Sequence, residues 1–204
     1  VYGVQASGAA SMLQSLEHHK IECLPSVSTI ADGIAVKEPG EHTFDICQHY
    51  LDGIVSVSED EICAAILTLI EQQKMIAEGA GAVSVAAAMF NKVPVKGKKT
   101  VCIVSGGNID VTILSRVINR GLSKSGRRCT LIVELPDKPG QLSNITRITA
   151  ELGANIVSVH HERNGESPDV SLCYLRIAME TRNEEHIEDI KDGLLKAGYH
   201  LLNN

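Results

Sequence analysis

Thr100-Val101-Cys102-Ile103-Val104-Ser105-Gly106-Gly107-Asn108-Ile109-Asp110 is the stretch that decides how this chain folds. Residues 100–104 are a short apolar run rich in β-branched side chains, which reads as a strand buried on both faces. Ser105 to Asn108 form a tight turn, and residues 109–119 carry a helical pattern. A helix, a buried strand, a glycine turn and a helix in that order indicate an α/β domain with a parallel sheet. A hydroxyl placed where such a strand ends lies in the crevice where open α/β sheets bind ligands. Gly106 and Gly107 allow a sharp turn and the close approach of a flat ligand. A plain strand-to-helix turn with Ser105 as helix cap would be written in the same letters.

Upstream of this stretch, residues 9–18 have helical composition, and Pro25-Ser26-Val27-Ser28-Thr29-Ile30-Ala31-Asp32-Gly33 mixes turn formers with β-branched residues, as an irregular loop in a site does. Ile54-Val55-Ser56-Val57 reads as a short strand. Ser58 with Glu61 three residues on is a capping box, and Ile62, Ala65, Ile66, Leu69 and Ile70 recur at helical spacing behind it. Glu78-Gly79-Ala80-Gly81-Ala82 opens an Ala-rich helix small enough to pack closely on a sheet. It does not qualify as a dinucleotide fingerprint, because the third glycine position is Ser84 and no strand precedes it.

Downstream, residues 121–128 are small, polar and basic, which marks a linker between an α/β part at 1–120 and a second module at 129–204. In that module residues 129–135 read as strand, 141–152 as helix, 154–161 as strand, 163–169 as a polar hairpin loop, 170–179 as strand, 184–196 as helix and 199–202 as a last short strand. The pattern is βαββαβ, a ferredoxin-like unit.

Composition narrows the function. With aromatics at 3% and apolar residues at 44%, the core is built from Ile, Val, Leu and Ala. A net charge of -6 argues against a nucleic-acid partner, since such proteins usually present a basic face. No run approaches the roughly 18 apolar residues of a membrane span. We therefore expect a cytoplasmic protein. The opening Val1-Tyr2-Gly3-Val4 lacks an initiator Met and reads as mid-strand, which leads us to expect a piece of a longer chain. Six dispersed cysteines without a C-x-x-C pair suggest mostly reduced core residues. The pairs His18-His19 and His160-His161 diverge on a helix or a strand, so neither pair is expected to hold a metal.

Four separated segments, 28–36, 44–57, 78–82 and 102–110, stand in the order and spacing of threonine ammonia-lyases, and the first half resembles that family of fold type II (tryptophan synthase β-like) pyridoxal-phosphate enzymes. The resemblance implies pyridoxal 5'-phosphate as cofactor, with Ser105 bonded to its pyridine nitrogen and Gly33, Glu78, Gly106 and Gly107 lining the ring. A neutral serine supports a protonated ring less than an aspartate would, so the ring is a weaker electron sink. It implies elimination of water from L-threonine, ending in 2-oxobutanoate and ammonia, a reaction of isoleucine biosynthesis. Family enzymes also use a Schiff-base lysine and a glycine-rich phosphate loop. Neither motif is present, so no catalytic residue is expected in this chain, which alone should be inactive and is expected to work with a missing N-terminal half. Gln5, Ala9 and Ser11 fall where metal-dependent relatives place carboxylates around a carbonyl, so no metal is expected there.

The second half resembles ACT regulatory domains through residues 135–142 and 152–156. That resemblance implies pairing of copies into a homo-oligomer and a small amino acid as effector, bound by Asp137, Gly140, Gln141, Leu142 and Asn155. A free-standing amino-acid sensor, and a different fold type II lyase or racemase acting on serine, remain alternatives.

Overall fold

A computed structural model describes residues 1–163 and 171–202. The chain divides into two compact units, Val1–Gly121 and Leu122–Asn204. Most of the hairpin loop expected at 163–169, and Val170 at the start of the strand expected after it, lie outside the described residues.

In the first unit, strand β1 (Tyr2–Ala6) pairs in parallel with β2 (Gly53–Val57), from Tyr2 opposite Gly53 to Ala6 opposite Val57. Between them run α1 (Ser11–Glu17), an irregular segment with a 3-10 turn at Asp32–Ile34, and α2 (Glu41–Tyr50). Helix α2 is not announced by the sequence, since Phe44 is its one buried residue and its apolar periodicity is correspondingly faint. Then follow α3 (Glu59–Thr68), a π-helical turn at Leu69–Gln73, α4 (Gly79–Met89) and α5 (Val111–Lys124). Ala6, Val57, Ile62, Ile66, Ala82, Ala86 and Val117 form the core, with α3 and α4 packed together across it.

The capping box is formed in full: the Glu61 backbone N–H donates to Ser58 Oγ at 3.3 Å and the Ser58 N–H donates to Glu61 Oε2 at 2.8 Å. Burial pushes the Glu61 carboxyl up, but the Ser58 N–H and Lys92, whose Nζ lies 3.0 Å away, outweigh it and hold the group below its ordinary value. Its contribution is therefore present at neutral pH and lost as acid protonates the group. Ser58→Ala should lower the stability of this unit by about 1 kcal/mol in urea unfolding at neutral pH.

Two expectations are corrected here. Residues 100–104 form no strand: no ladder partner exists among the described residues, and Val101 and Ile103 are 90% and 79% exposed. Backbone bonding from a neighbour is what makes an extended segment a sheet strand, and sequence pattern cannot supply the neighbour. The segment is instead tied to α4, with Ser84 Oγ donating to the Ile103 carbonyl at 2.7 Å and Cys102 Sγ to the Ser84 carbonyl at 3.6 Å. The linker expected at 121–128 is helical through Lys124. The chain turns only at Gly126, whose φ of +67° suits glycine. There Arg127 N–H bonds the Leu122 carbonyl and Gly126 N–H bonds that of Ser123, the paired bonds of a Schellman stop. Helix α5 also begins later than expected. Asp110 caps it by accepting from the Thr112 N–H at 2.7 Å and the Ile113 N–H.

The second unit follows the expected order with shifted ends: β3 (Arg128–Pro136), α6 (Gln141–Glu151), β4 (Asn155–Glu162), β5 (Leu172–Glu180), α7 (Glu184–Lys196) and β6 (His200–Leu202). All pairings are antiparallel and the sheet order is β4-β5-β3-β6, the ferredoxin-like arrangement. Leu131, Val133, Leu135, Leu175, Ile177 and Met179 alternate along the two central strands and are buried with Ile145, Ile190 and Leu194 of the helices. Buried His186 accepts the Arg182 N–H on Nδ1 at 3.1 Å, and its Nε2 lies 2.9 Å from the Leu152 carbonyl, which joins α7 to the end of α6.

Candidate functional site

Three segments distant in sequence converge in the first unit. They are the loop before and through the 3-10 turn (residues 30–33), the first turn of α4 and the turn at 105–107. Glu78 N–H donates to the Gly106 carbonyl at 3.1 Å. Gly106 has φ +68°, and a Cβ there would come within 2.2–2.5 Å of the Glu78 carboxyl group. A Cβ on Gly33 would lie 3.1 Å from Ala80 Cβ and 3.3 Å from Glu78 Oε1. Gly107 sits beside the Ile76 carbonyl, 3.4 Å from where its Cβ would be. Gly33, Glu78, Ser105, Gly106 and Gly107 are thus brought into one place, although Gly33 stands 74 positions before Gly107.

Gly79 and Gly81 make this convergence possible. A Cβ on Gly81 would stand 1.6 Å from the Ser105 carbonyl oxygen, and one on Gly79 would stand 2.5 Å from that of Ile30. Neither had been assigned a role from the sequence; the i, i+2 glycine pair at the head of an Ala-rich helix is the signal that could have found them. The result is a surface of glycine backbone, bordered by the Glu78 carboxylate and carrying the exposed Ser105 hydroxyl. Such a surface accepts the face of a flat ring and offers a neutral hydroxyl to a ring heteroatom. Gln5 and Ser11 are engaged in internal bonds: Gln5 Oε1 accepts the Leu13 N–H at 2.9 Å and Ser11 Oγ donates to the Val36 carbonyl at 2.7 Å.

A second concave site lies in the ferredoxin-like unit. Asp137, Gly140, Gln141 and Leu142 line a cavity of about 360 Å³ together with His161, Arg163 and Cys173. Asn155, expected with them, is not there: its Nδ2 donates to Glu180 Oε2 at 2.8 Å, six residues back along β4 from His161. At about 3.3 Å per residue that is roughly 20 Å away. All six cysteines are free, but the expectation that most are core residues is corrected. Only Cys63 and Cys173 are buried, and Cys23 is exposed. Burial pushes the Cys63 thiol up to about 11, which leaves it unreactive.

The α/β layering and the glycine-lined surface define a cofactor-binding unit built for a flat ring. Residues 1–106 match the family described as pyridoxal-phosphate dependent enzyme, and the chain belongs to that family. The residues present fit the group: glycine backbone without side chains leaves room for a ring face, and the exposed Ser105 stands beside it.

Relatives agree with the assignment. The chain is 46% identical over 199 residues to an L-threonine ammonia-lyase of Thermotoga maritima, covering 98% of this chain and 49% of that protein. It is 43% identical to an L-threonine ammonia-lyase of Geobacter sulfurreducens, covering 98% and 50%. The chain therefore spans about half the length of the curated relatives it matches. Among solved structures, the processed form of threonine deaminase isoform 2 from Solanum lycopersicum is similar with a TM-score of 0.54 and 41% identity, covering 58% of this chain and 33% of that one. Maize serine racemase is similar with a TM-score of 0.51 and 31% identity, covering 58% and 39%. Among the described residues no helix is long and apolar enough to cross a membrane.

Proposed function

We propose that this chain is the C-terminal part of a cytoplasmic threonine ammonia-lyase that converts L-threonine to 2-oxobutanoate and ammonia, followed by an ACT domain that senses a small amino acid. The observation that carries the reading is the meeting of Gly33, Glu78, Ser105 and Gly106 on one glycine-lined surface. Pyridoxal phosphate, when bound, supplies the electron sink for bond cleavage at the substrate's α-carbon. Ser105 holds the ring nitrogen through a neutral hydroxyl, Gly33, Gly106 and Gly107 admit the ring face, and Glu78 braces the 105–107 turn through its backbone N–H. The lysine and the phosphate loop come from the other half of the protein, so the chain alone is inactive.

Coexpression with an N-terminal half that carries the lysine, followed by a coupled assay for 2-oxo acid, tests the reading. Threonine-dependent 2-oxobutanoate is expected, and Ser105→Ala should lower turnover while leaving the urea midpoint in place. No 2-oxo acid from threonine or serine would overturn it. Similarity to maize serine racemase keeps a second activity in view, and chiral analysis of serine in the same mixture distinguishes it.

For the second unit, the cavity beside Asp137 supports effector binding. Backbone N–H groups at the start of α6, behind Gly140, would receive the carboxylate, with Gln141 and Leu142 beside it. Asn155, at the far end of β4, would reach such a ligand only from a paired copy, in keeping with a homo-oligomer formed through this domain. The free-standing sensor reading rests on the same cavity. Titration calorimetry with isoleucine, valine, serine and threonine separates the two: amino-acid binding without cofactor affinity in any coexpressed form favours the sensor.

A further inference from the structure

Three side chains with metal-binding atoms meet in the cavity of the second unit: Asp137, His161 and Cys173, one ligand atom from each, all within 4.8 Å of one another. His161 and Cys173 come from the adjacent strands β4 and β5, and Asp137 follows directly on the end of β3. Cys173 lies opposite Leu135 on β3, His161 lies opposite Leu175 on β5, and Asp137 is two residues beyond Leu135. Alternation along the strands thus directs His161 and Cys173 to the helix-covered side, where Asp137 meets them. His160, the neighbour of His161, points the other way.

We propose that Asp137, His161 and Cys173 form a binding site for a thiophilic divalent transition metal ion of the zinc class. One thiolate, one imidazole and one carboxylate make a mixed donor set that suits zinc, and three protein ligands leave a fourth position open for water or a small ligand in the cavity. His161 Nε2 is already 3.2 Å from Cys173 Sγ. A tetrahedral site with metal–donor bonds of about 2.0–2.3 Å sets its donors roughly 3.3–3.8 Å apart, so closure asks for shifts on the order of 1 Å. Those shifts fall on the exposed side chains of Asp137 and His161, while Cys173, 1% exposed, is the fixed member.

Without metal, the thiol is held protonated by burial first and then by the Asp137 carboxylate, while the Arg163 guanidinium opposes them. Sγ donates to the Leu135 carbonyl at 3.6 Å, and Arg163 Nε occupies Asp137 Oδ2 at 3.3 Å. Metal binding therefore releases the thiol proton to solvent and displaces Arg163 from Asp137. This inference needs neither the cofactor nor the effector reading. Its readouts are independent of both.

The test titrates the metal-free, reduced chain with cobalt(II) and then with zinc(II) in competition with a chromophoric chelator. One cobalt per chain is expected, with a thiolate-to-cobalt charge-transfer band in the near ultraviolet that zinc removes. Cys173→Ser should abolish the band. His161→Ala and Asp137→Asn, at exposed positions where folding is not at stake, should each weaken zinc binding by at least about tenfold, as losses even around a metal's ligands do. His160→Ala should leave affinity unchanged. Absence of the band, retention of it in Cys173→Ser, or equal losses from His160→Ala and His161→Ala would overturn the site.

Discussion

Gly81→Ala is expected to destabilise the first unit by about 3 kcal/mol, at the upper end of what overpacking a filled core costs. The new methyl group would lie 1.6 Å from the Ser105 carbonyl oxygen and 2.7 Å from its carbon. Both are backbone atoms, so no rotamer change relieves the clash. Helix α4 cannot retreat, because Ala82, Val83, Ala86 and Ala87 are fixed in the core at 7% exposure or less. The 105–107 turn must move instead. Its movement breaks the bond from Glu78 N–H to the Gly106 carbonyl and carries Ser105 away from the ring face.

Urea unfolding followed by far-ultraviolet circular dichroism checks the effect. Gly97→Ala is the control: Gly97 has positive φ, unlike helical Gly81, and has nothing within 4 Å. That control pays only left-handed backbone strain, about 1–2 kcal/mol. If Gly81→Ala cost no more than Gly97→Ala, the close contact between α4 and the turn would be disproved. The same variant should lose pyridoxal phosphate binding in the coexpressed protein.

The second large effect belongs to Leu175→Ala, expected to cost about 4 kcal/mol of the second unit's stability. Leu175 is fully buried at the centre of β5, opposite Val133 on β3 and His161 on β4. Truncation leaves a cavity in the middle of the sheet's packed face, with neighbours fixed by ladders on both sides and unable to collapse into it. Hydrogen exchange should report lost protection in β3, β5 and α7. Arg176→Ala is one residue away on the solvent side, where an exposed ion pair with Glu162 at 3.7 Å contributes little, and it should change stability by about 0.5 kcal/mol or less. Comparable losses from both would refute the assignment of β5's faces.

Legibility followed the range of the determining interactions. The Ser58–Glu61 box, the apolar spacing along α3 and the strands read at 129–135 and 170–179 are set by residues a few positions apart, and the box, the helix and both strands are found with only shifted ends. Helix α2 escaped because a surface helix with one buried side chain leaves almost no periodicity to read. The 100–104 segment misled for the opposite reason: its β-branched run is strand-like, but a strand is completed by a neighbour's hydrogen bonds, and none is present among the described residues.

The candidate site divides in the same way. Ser105 and its glycine turn are conspicuous as letters, whereas the role of Gly81 is visible only once α4 rests on that turn. Asp137 was legible as part of a loop before a helix, but its meeting with His161 and Cys173 depends on the β4-β5-β3 register. Register likewise sets Asn155 at the other end of β4 from His161, beside Glu180.

By itself, then, the sequence determined the order of elements in the second unit, the two-part organisation and the identity of the residues that turn at Ser105, because caps, glycines and apolar periods act within one or two turns of chain. Only the tertiary structure decided which distant backbones touch at Gly81, that residues 100–104 find no strand partner among the described residues, and that a carboxylate, an imidazole and a thiol share one cavity. Those outcomes depend on sheet register and close packing between segments tens of residues apart, and no local pattern encodes them.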